Sequence, residues 1–152
     1  MGYSMNWWEK DPQRLEKEKS IMNEKFPQFM IGQAHSQREK NGWVVAQKGQ
    51  KYWLGDLRTQ SGNIYNVLIV YPNYYPGGEI KTYIISPLIE HSMHRYGDGH
   101  LCLYSNSYGT GQGNGYAMTA VSYVAWVAAW LHAHEIYQKT SEWPDNNFFN
   151  RS

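Results

Sequence analysis

One thiol and several imidazoles share the stretch from His91 to Tyr104, His-Ser-Met-His-Arg-Tyr-Gly-Asp-Gly-His-Leu-Cys-Leu-Tyr. Cys102 is the sole cysteine, three of the six histidines (His91, His94 and His100) stand just ahead of it, and Gly97-Asp98-Gly99 breaks the backbone between them. A nucleophile and candidate proton carriers therefore lie on one loop. A thiol attacks as its thiolate, so an ordinary pKa of about 8.5 has to be met by a base or a positive surrounding, and a nearby imidazole can supply either. A cysteine between Leu101 and Leu103 also suits a small hydrophobe packed at a strand end. Spacing leaves both readings open. His91, His94, His100 and Cys102 have the ligand types of tetrahedral zinc, but their spacing matches no structural finger. Asp98, between two glycines, has the setting of a turn residue.

The elements that must position this loop are legible on either side. Asp11-Pro12 supplies an N-cap and a first-turn proline, and Pro27 ends the helix so begun. Leu15, Met22 and Phe26 mark its apolar side, and the charge run of Arg14, Glu16, Lys17, Glu18, Lys19, Glu24 and Lys25 reads as a solvated face. Residues 1–10, with the pair Trp7-Trp8, give little regular signal. From Phe29 onward the pattern turns extended, in Phe29 to Ala34, Trp43 to Ala46, Tyr52 to Leu57, Ile64 to Tyr71 and Ile80 to Ile85. Lys40-Asn41-Gly42 and Ser61-Gly62-Asn63 predict tight reversals with positive φ. Connections this short predict an antiparallel meander of about four strands. After the thiol, Ser105 to Tyr116 is too polar and Gly-rich to bury much and reads as a flexible loop; its glycines lack the lysine of a phosphate-binding loop. Thr119 to Tyr137 is a second helix, apolar nearly all round, which has to lie across the sheet. Trp143-Pro144 closes the ordered part before a short tail. His132 and His134, at the end of the helix, read as local polar or dipole partners.

At 152 residues, the chain has the size of a single α+β domain. Fourteen Lys and Arg against thirteen Asp and Glu leave a net charge of +1, which gives no field for nucleic acid or an anionic membrane. A protein or a small molecule is the expected partner. One cysteine makes no internal disulfide, and no basic segment followed by an apolar run opens the sequence, so a reducing cytoplasm is the expected location. The run from Ala117 to Leu131 is shorter than the roughly 20 residues of a membrane span.

The order of elements and the local motifs resemble those of the ubiquitin-conjugating enzymes, in particular their bacterial relatives. The resemblance rests on Tyr71-Pro72 and Tyr75-Pro76, on the strand that ends at Pro87, and on Gly99-His100-Leu101-Cys102-Leu103, and it spans roughly Asp11 to Pro144. It implies an N-terminal helix, a four-stranded antiparallel meander, an active-site loop and a C-terminal helix across the sheet. The eukaryotic members carry a His-Pro-Asn motif whose Asn stands eight positions before the cysteine; His94 holds that place here, and the Pro and Asn are absent. The last helices of those enzymes are also missing, so ligase docking is not implied. The chain is further similar to short stand-alone relatives in anti-phage cyclic-oligonucleotide signalling (CBASS) operons, which stand beside a synthase related to cGAS whose C-terminus becomes attached to other proteins.

The resemblance implies a cysteine acyltransferase. Cys102 would take an acyl group from the C-terminal glycine of a protein, such as a cGAS-like nucleotidyltransferase, and a lysine of a target protein would then attack the thioester, with an activating enzyme as a further partner. Both steps pass through an oxyanion, which His94 or a backbone amide near Gly97 to Gly99 could stabilise. The attacking lysine must arrive neutral, and His94, Asp98 and His100 are the candidates to assist it. Tyr104 and Tyr108 could line a groove for the extended tail. No cofactor or metal is implied. A non-catalytic binding module of the same fold and a cysteine hydrolase are the alternatives, although papain-type nucleophiles sit at a helix N-terminus and here the next helix starts well after Cys102.

Overall fold

In a computed structural model, residues 5–90, 94–103 and 119–144 are described. The α+β architecture forms as expected, with two long helices against one face of a four-stranded antiparallel sheet. Helix α2 (Pro12–Lys25) starts where the sequence predicts: the Asp11 carboxylate accepts the Arg14 amide at 3.2 Å, and the helix ends at Phe26, before Pro27. The sheet consists of β1 (Met30–Gln33), β4 (Lys51–Arg58), β5 (Ile64–Val70) and β6 (Lys81–Ser86), in that spatial order. Along β4, Trp53 and Leu57 are buried while Leu54, Asp56 and Arg58 are exposed, the alternation of a sheet with one face on the core.

The meander is interrupted once. Trp43 to Ala46 is a strand but not one of the four-stranded sheet: as β3 (Trp43–Ala46) it pairs with β2 (Arg38–Lys40) in a separate two-stranded hairpin between β1 and β4. Asn41 and Gly42, at φ 55° and 86°, make its predicted reversal. Val45 and Ala46 then bury themselves with Leu68, Val70 and Tyr83, the outward residues of β5 and β6, so the hairpin caps the face that the helices leave open. A short helix, α1 (Trp7–Lys10), precedes α2, and its Trp7 packs on both Tyr71 and Tyr75, with ring centroids 4.8 and 4.9 Å away, in a cluster where the two tyrosines also touch at 4.8 Å.

Helix α3 (Ala120–Thr140) buries Tyr123, Val124, Val127, Trp130 and Leu131 against α2 and the sheet. Two carboxylates fix it. Glu18, expected on the solvated face of α2, is buried: its carboxyl accepts the hydroxyls of Tyr71 and Tyr75 at 2.7 and 2.6 Å and the amide of Ala120 at 3.0 Å. Thr119 makes no side-chain cap, so Glu18 takes an amide that the start of α3 leaves open. Near the other end, Glu135 accepts Ser61 (2.6 Å), Asn63 (2.8 Å) and Thr59 (2.9 Å) from the β4–β5 turn and Tyr65 (2.8 Å) from the start of β5. Partial burial pushes this carboxyl up, but the hydrogen bonds from Ser61, Asn63, Tyr65 and Thr59 outweigh it and hold its pKa at about 2. A carboxyl with a depressed folded pKa contributes its stability in full above the ordinary value of 4.5 and loses it as pH falls toward 2. Glu135→Gln is therefore expected to flatten the loss of thermal stability between these two values, as followed by melting at stepped pH; an unchanged slope would contradict the role given to the cluster.

The predicted loop from Ser105 to Tyr116 and the tail after Pro144 lie outside the described residues. Among the described residues no helix is long and apolar enough to cross a membrane.

Candidate functional site

The loop that carries the thiol folds back on itself. Arg95 and Leu101 form an antiparallel bridge, the Tyr96 amide donates to His100 O at 2.8 Å, the Gly99 amide to Tyr96 O at 2.9 Å, and the Cys102 amide to His94 O at 2.8 Å. Residues 94–102 are thus a tight hairpin whose register sets His94 opposite Cys102. Eight positions of sequence are closed to one cross-strand step. The Leu101 amide donates to Thr82 O at 2.9 Å, which fastens the hairpin to β6. Leu101 and Leu103 are buried in the main core while Cys102 between them is partly exposed, so the leucines anchor the strand and the thiol reaches solvent. The reading of Cys102 as a buried small hydrophobe does not fit this alternation.

Trp43 of the β2–β3 hairpin supports the turn. The Arg95 guanidinium lies over its ring at 4.9 Å, while Arg95 also donates to Ile89 O at 2.6 Å. Gly99, at φ 92°, passes so close that a Cβ there would fall 2.3 Å from Trp43 Cδ2. Left-handed backbone alone costs a residue with a Cβ about 1–3 kcal/mol, and the indole has a guanidinium over its ring. Gly99→Ala is expected to cost at least that much by urea unfolding and to speed alkylation of Cys102 several-fold as the hairpin loosens; a variant that matched wild type in both would contradict this packing.

His100 and Asp98 lie together in the turn. Asp98 accepts the His100 amide at 3.1 Å, His100 Nδ1 at 2.5 Å and Lys81 Nζ at 3.0 Å. His100 Nε2 faces Glu79 at 3.5 Å, an ion-pair distance, and the ring stacks on Tyr96 at 4.4 Å. Burial lowers the His100 pKa, but Glu79 and Asp98 more than reverse this and raise it overall. Partial burial likewise raises the Asp98 carboxyl, and the His100 amide, the His100 ring and Lys81 bring it down to about 2. A buried imidazole set between two carboxylates, with its own amide also bonded to Asp98, ties the turn together.

His94 has the opposite character. Its backbone is left-handed at φ 57°, and its carbonyl accepts both the Cys102 amide and, at 3.1 Å, Trp130 Nε1 from α3. Its ring packs on Trp143 with centroids 4.8 Å apart. Burial lowers its pKa, which favours the neutral imidazole that can donate or accept a proton at neutral pH. Glu79, Trp43, Trp130 and Trp143 carry no sequence signal that marks them as site residues. Trp130 and Trp143 stood in the right elements, but nothing in their spacing points at His94. His91, Tyr104 and Tyr108 lie outside the described residues. Among the described residues no group of three or more His, Cys, Asp or Glu stands close enough to hold a metal ion.

A partly exposed cysteine paired through its backbone with a histidine, on a hairpin pinned to the sheet edge, is a nucleophile that can accept an acyl group and present it to a second nucleophile. No curated protein and no solved structure matches the chain. A family model described as type II CBASS E2 protein matches residues 18–150, which takes in α3, most of α2, the whole sheet and the thiol-bearing hairpin. With that match over most of its length, the chain belongs to the type II CBASS E2 protein family, the E2-like proteins of this anti-phage system.

Proposed function

We propose that the protein conjugates the C-terminal glycine of a carrier protein to a lysine through a thioester on Cys102. The observation that carries this reading is the hairpin register, which sets a partly exposed thiol opposite His94. Family membership supports an E2-like role in CBASS defence. In the first step Cys102 Sγ, as thiolate, attacks the activated glycyl carbonyl, a C–S bond forms, and the group that activated the carbonyl leaves with the electron pair. In the second, a neutral lysine amine attacks the same carbonyl, the C–S bond breaks, an amide forms, and the amine proton passes to a base while Cys102 leaves as thiolate. His94 is the group suited to donate to the oxyanion or accept that proton, and a single such donor is typically worth about a hundredfold to a thousandfold in rate. Asp98 and His100 hold the turn in place for both steps.

The carrier is a protein with a C-terminal glycine, a cGAS-like nucleotidyltransferase being the first to try, together with an activating enzyme and a lysine-bearing target. The test mixes the purified protein with these candidates and ATP, read by intact mass and non-reducing gels. A thiol-labile adduct on wild type that becomes thiol-resistant on Cys102→Ser supports acyl transfer. Hydrolysis of a fluorogenic ester or peptide without any adduct would move the assignment to a hydrolase, and neither signal to a binding module.

A further inference from the structure

Helix α3 and the segment after it reach the thiol hairpin through two indoles that hold the same residue. Trp130, fully buried and stacked on His134 at 5.3 Å, donates its Nε1 proton to the His94 carbonyl. Trp143, just past the helix, packs on the His94 ring at 4.8 Å and braces itself on Trp130 at 5.6 Å and Tyr137 at 6.3 Å. One indole thus fixes the backbone of His94 and the other its imidazole. A residue held at φ 57° with a carbonyl shared by two donors is determined from outside its own segment. Of the two contacts, only the one from Trp143 touches the ring, and it comes from a segment that is itself half-buried.

From this bracket we infer that Trp143 is a positioning residue, which holds the His94 imidazole in the orientation that acyl transfer from Cys102 requires. The inference rests on the acyl-transfer reading for its consequence, but on the bracket alone for its geometry. Covering one face of the ring also removes it from water, in line with the direction of its pKa. The elements that meet His94 carry the titratable groups Arg95, Tyr96, Asp98, His100 and Cys102 on the hairpin and Tyr123, His132, His134, Glu135, Tyr137 and Lys139 on α3. Asp98 and His100 pair with each other and Glu135 with Thr59, Ser61, Asn63 and Tyr65, while His134 and Tyr137 stand against Trp130 and Trp143. Arg95 is turned away, with its guanidinium bonded to the carbonyls of Ile89 and Glu90.

The experiment is an NMR titration of the His94 ring in the full chain, compared among wild type, Trp143→Ala and Trp143→Phe, with melting curves to establish that each variant is folded. Wild type should titrate below the ordinary value of 6.5; Trp143→Ala should raise the midpoint by about half a pH unit or more as the ring meets water, and Trp143→Phe should restore most of the difference. In the conjugation assay Trp143→Ala should leave loading of Cys102 unchanged and slow transfer by about tenfold to a hundredfold, and should cost nothing further in a His94→Ala background. A folded Trp143→Ala with an unmoved His94 midpoint, or a loss of transfer that adds in full to that of His94→Ala, would overturn the inference. The titration uses no carrier, so it separates the two readings. A moved midpoint with no adduct from any carrier supports the bracket and overturns the thioester reading, whereas an unmoved midpoint overturns the bracket whatever the adduct assay gives.

Discussion

Cys102→Ala is expected to yield no conjugate with any carrier while melting within about 2 °C of wild type, the margin of a one-atom truncation at a half-buried position. The exchange removes only Sγ. The backbone amide that bonds His94 O remains, and Leu101 and Leu103 still anchor the strand on both sides. His94→Ala should behave differently, since it keeps the nucleophile and loses its partner: loading continues and transfer slows. Conjugate formed by Cys102→Ala at the wild-type rate would remove the thiol from the mechanism, and a collapse of its melting temperature would mean that the thiol serves the fold.

Glu18→Ala is expected to have the largest effect on stability. Three buried donors converge on this carboxyl, the hydroxyls of Tyr71 and Tyr75 and the first amide of α3, and Trp53 Nε1 bonds in turn to the Tyr71 hydroxyl at 2.8 Å. Each buried donor left without its acceptor costs about 1–3 kcal/mol, so the variant should lose at least about 3 kcal/mol. For a domain of this size that is a fall of about 6–12 °C in melting temperature. Glu18→Gln, which retains one acceptor oxygen, should lose roughly half as much. A Glu18→Ala protein that melts with wild type would show that water or a rearranged tyrosine pair replaces the carboxyl. The effect would reach the site as well, because Glu18 holds the start of the helix whose middle carries Trp130.

Local chemistry explains which parts of this architecture can be read from the sequence. Asp11-Pro12 and Pro27 bound α2 because caps and proline act within a turn, and Asn41-Gly42 specifies its reversal because few residues accept positive φ. The β2–β3 hairpin is not legible as a separate unit, since Trp43 to Ala46 is as apolar as the sheet strands; which face a strand covers depends on partners distant in sequence, here Leu68, Val70 and Tyr83. Glu18 was placed on the solvated face by its charge, although it stands three after Leu15 and four before Met22, in line with the buried stripe. Trp7-Trp8 gave no periodicity because α1 spans a single turn.

At the site, the residue types were legible and their roles were not. The thiol, the histidines and the glycine break all stand in one stretch, and Leu-Cys-Leu carries the period of two that turns Cys102 outward once the leucines are buried. His94 and His100 look alike in the sequence. They separate only in three dimensions, where Glu79 and Asp98 raise the pKa of His100 while burial, with Trp143 packed on the ring, lowers that of His94. Trp43, which props the turn through Gly99 and Arg95, comes from another hairpin and leaves no mark in the loop itself.

The most direct test of the central claim is a pulse–chase followed by peptide mass spectrometry. The carrier is loaded for seconds with its activating enzyme and ATP, activation is quenched, a lysine-bearing target is added, and the site of attachment is mapped over time. Acyl transfer through Cys102 predicts that the glycyl carbonyl appears first on the Cys102 peptide and moves to lysine as that species decays, with both absent in Cys102→Ala. Attachment to lysine with no prior Cys102 species, at the same rate in Cys102→Ala, would contradict it.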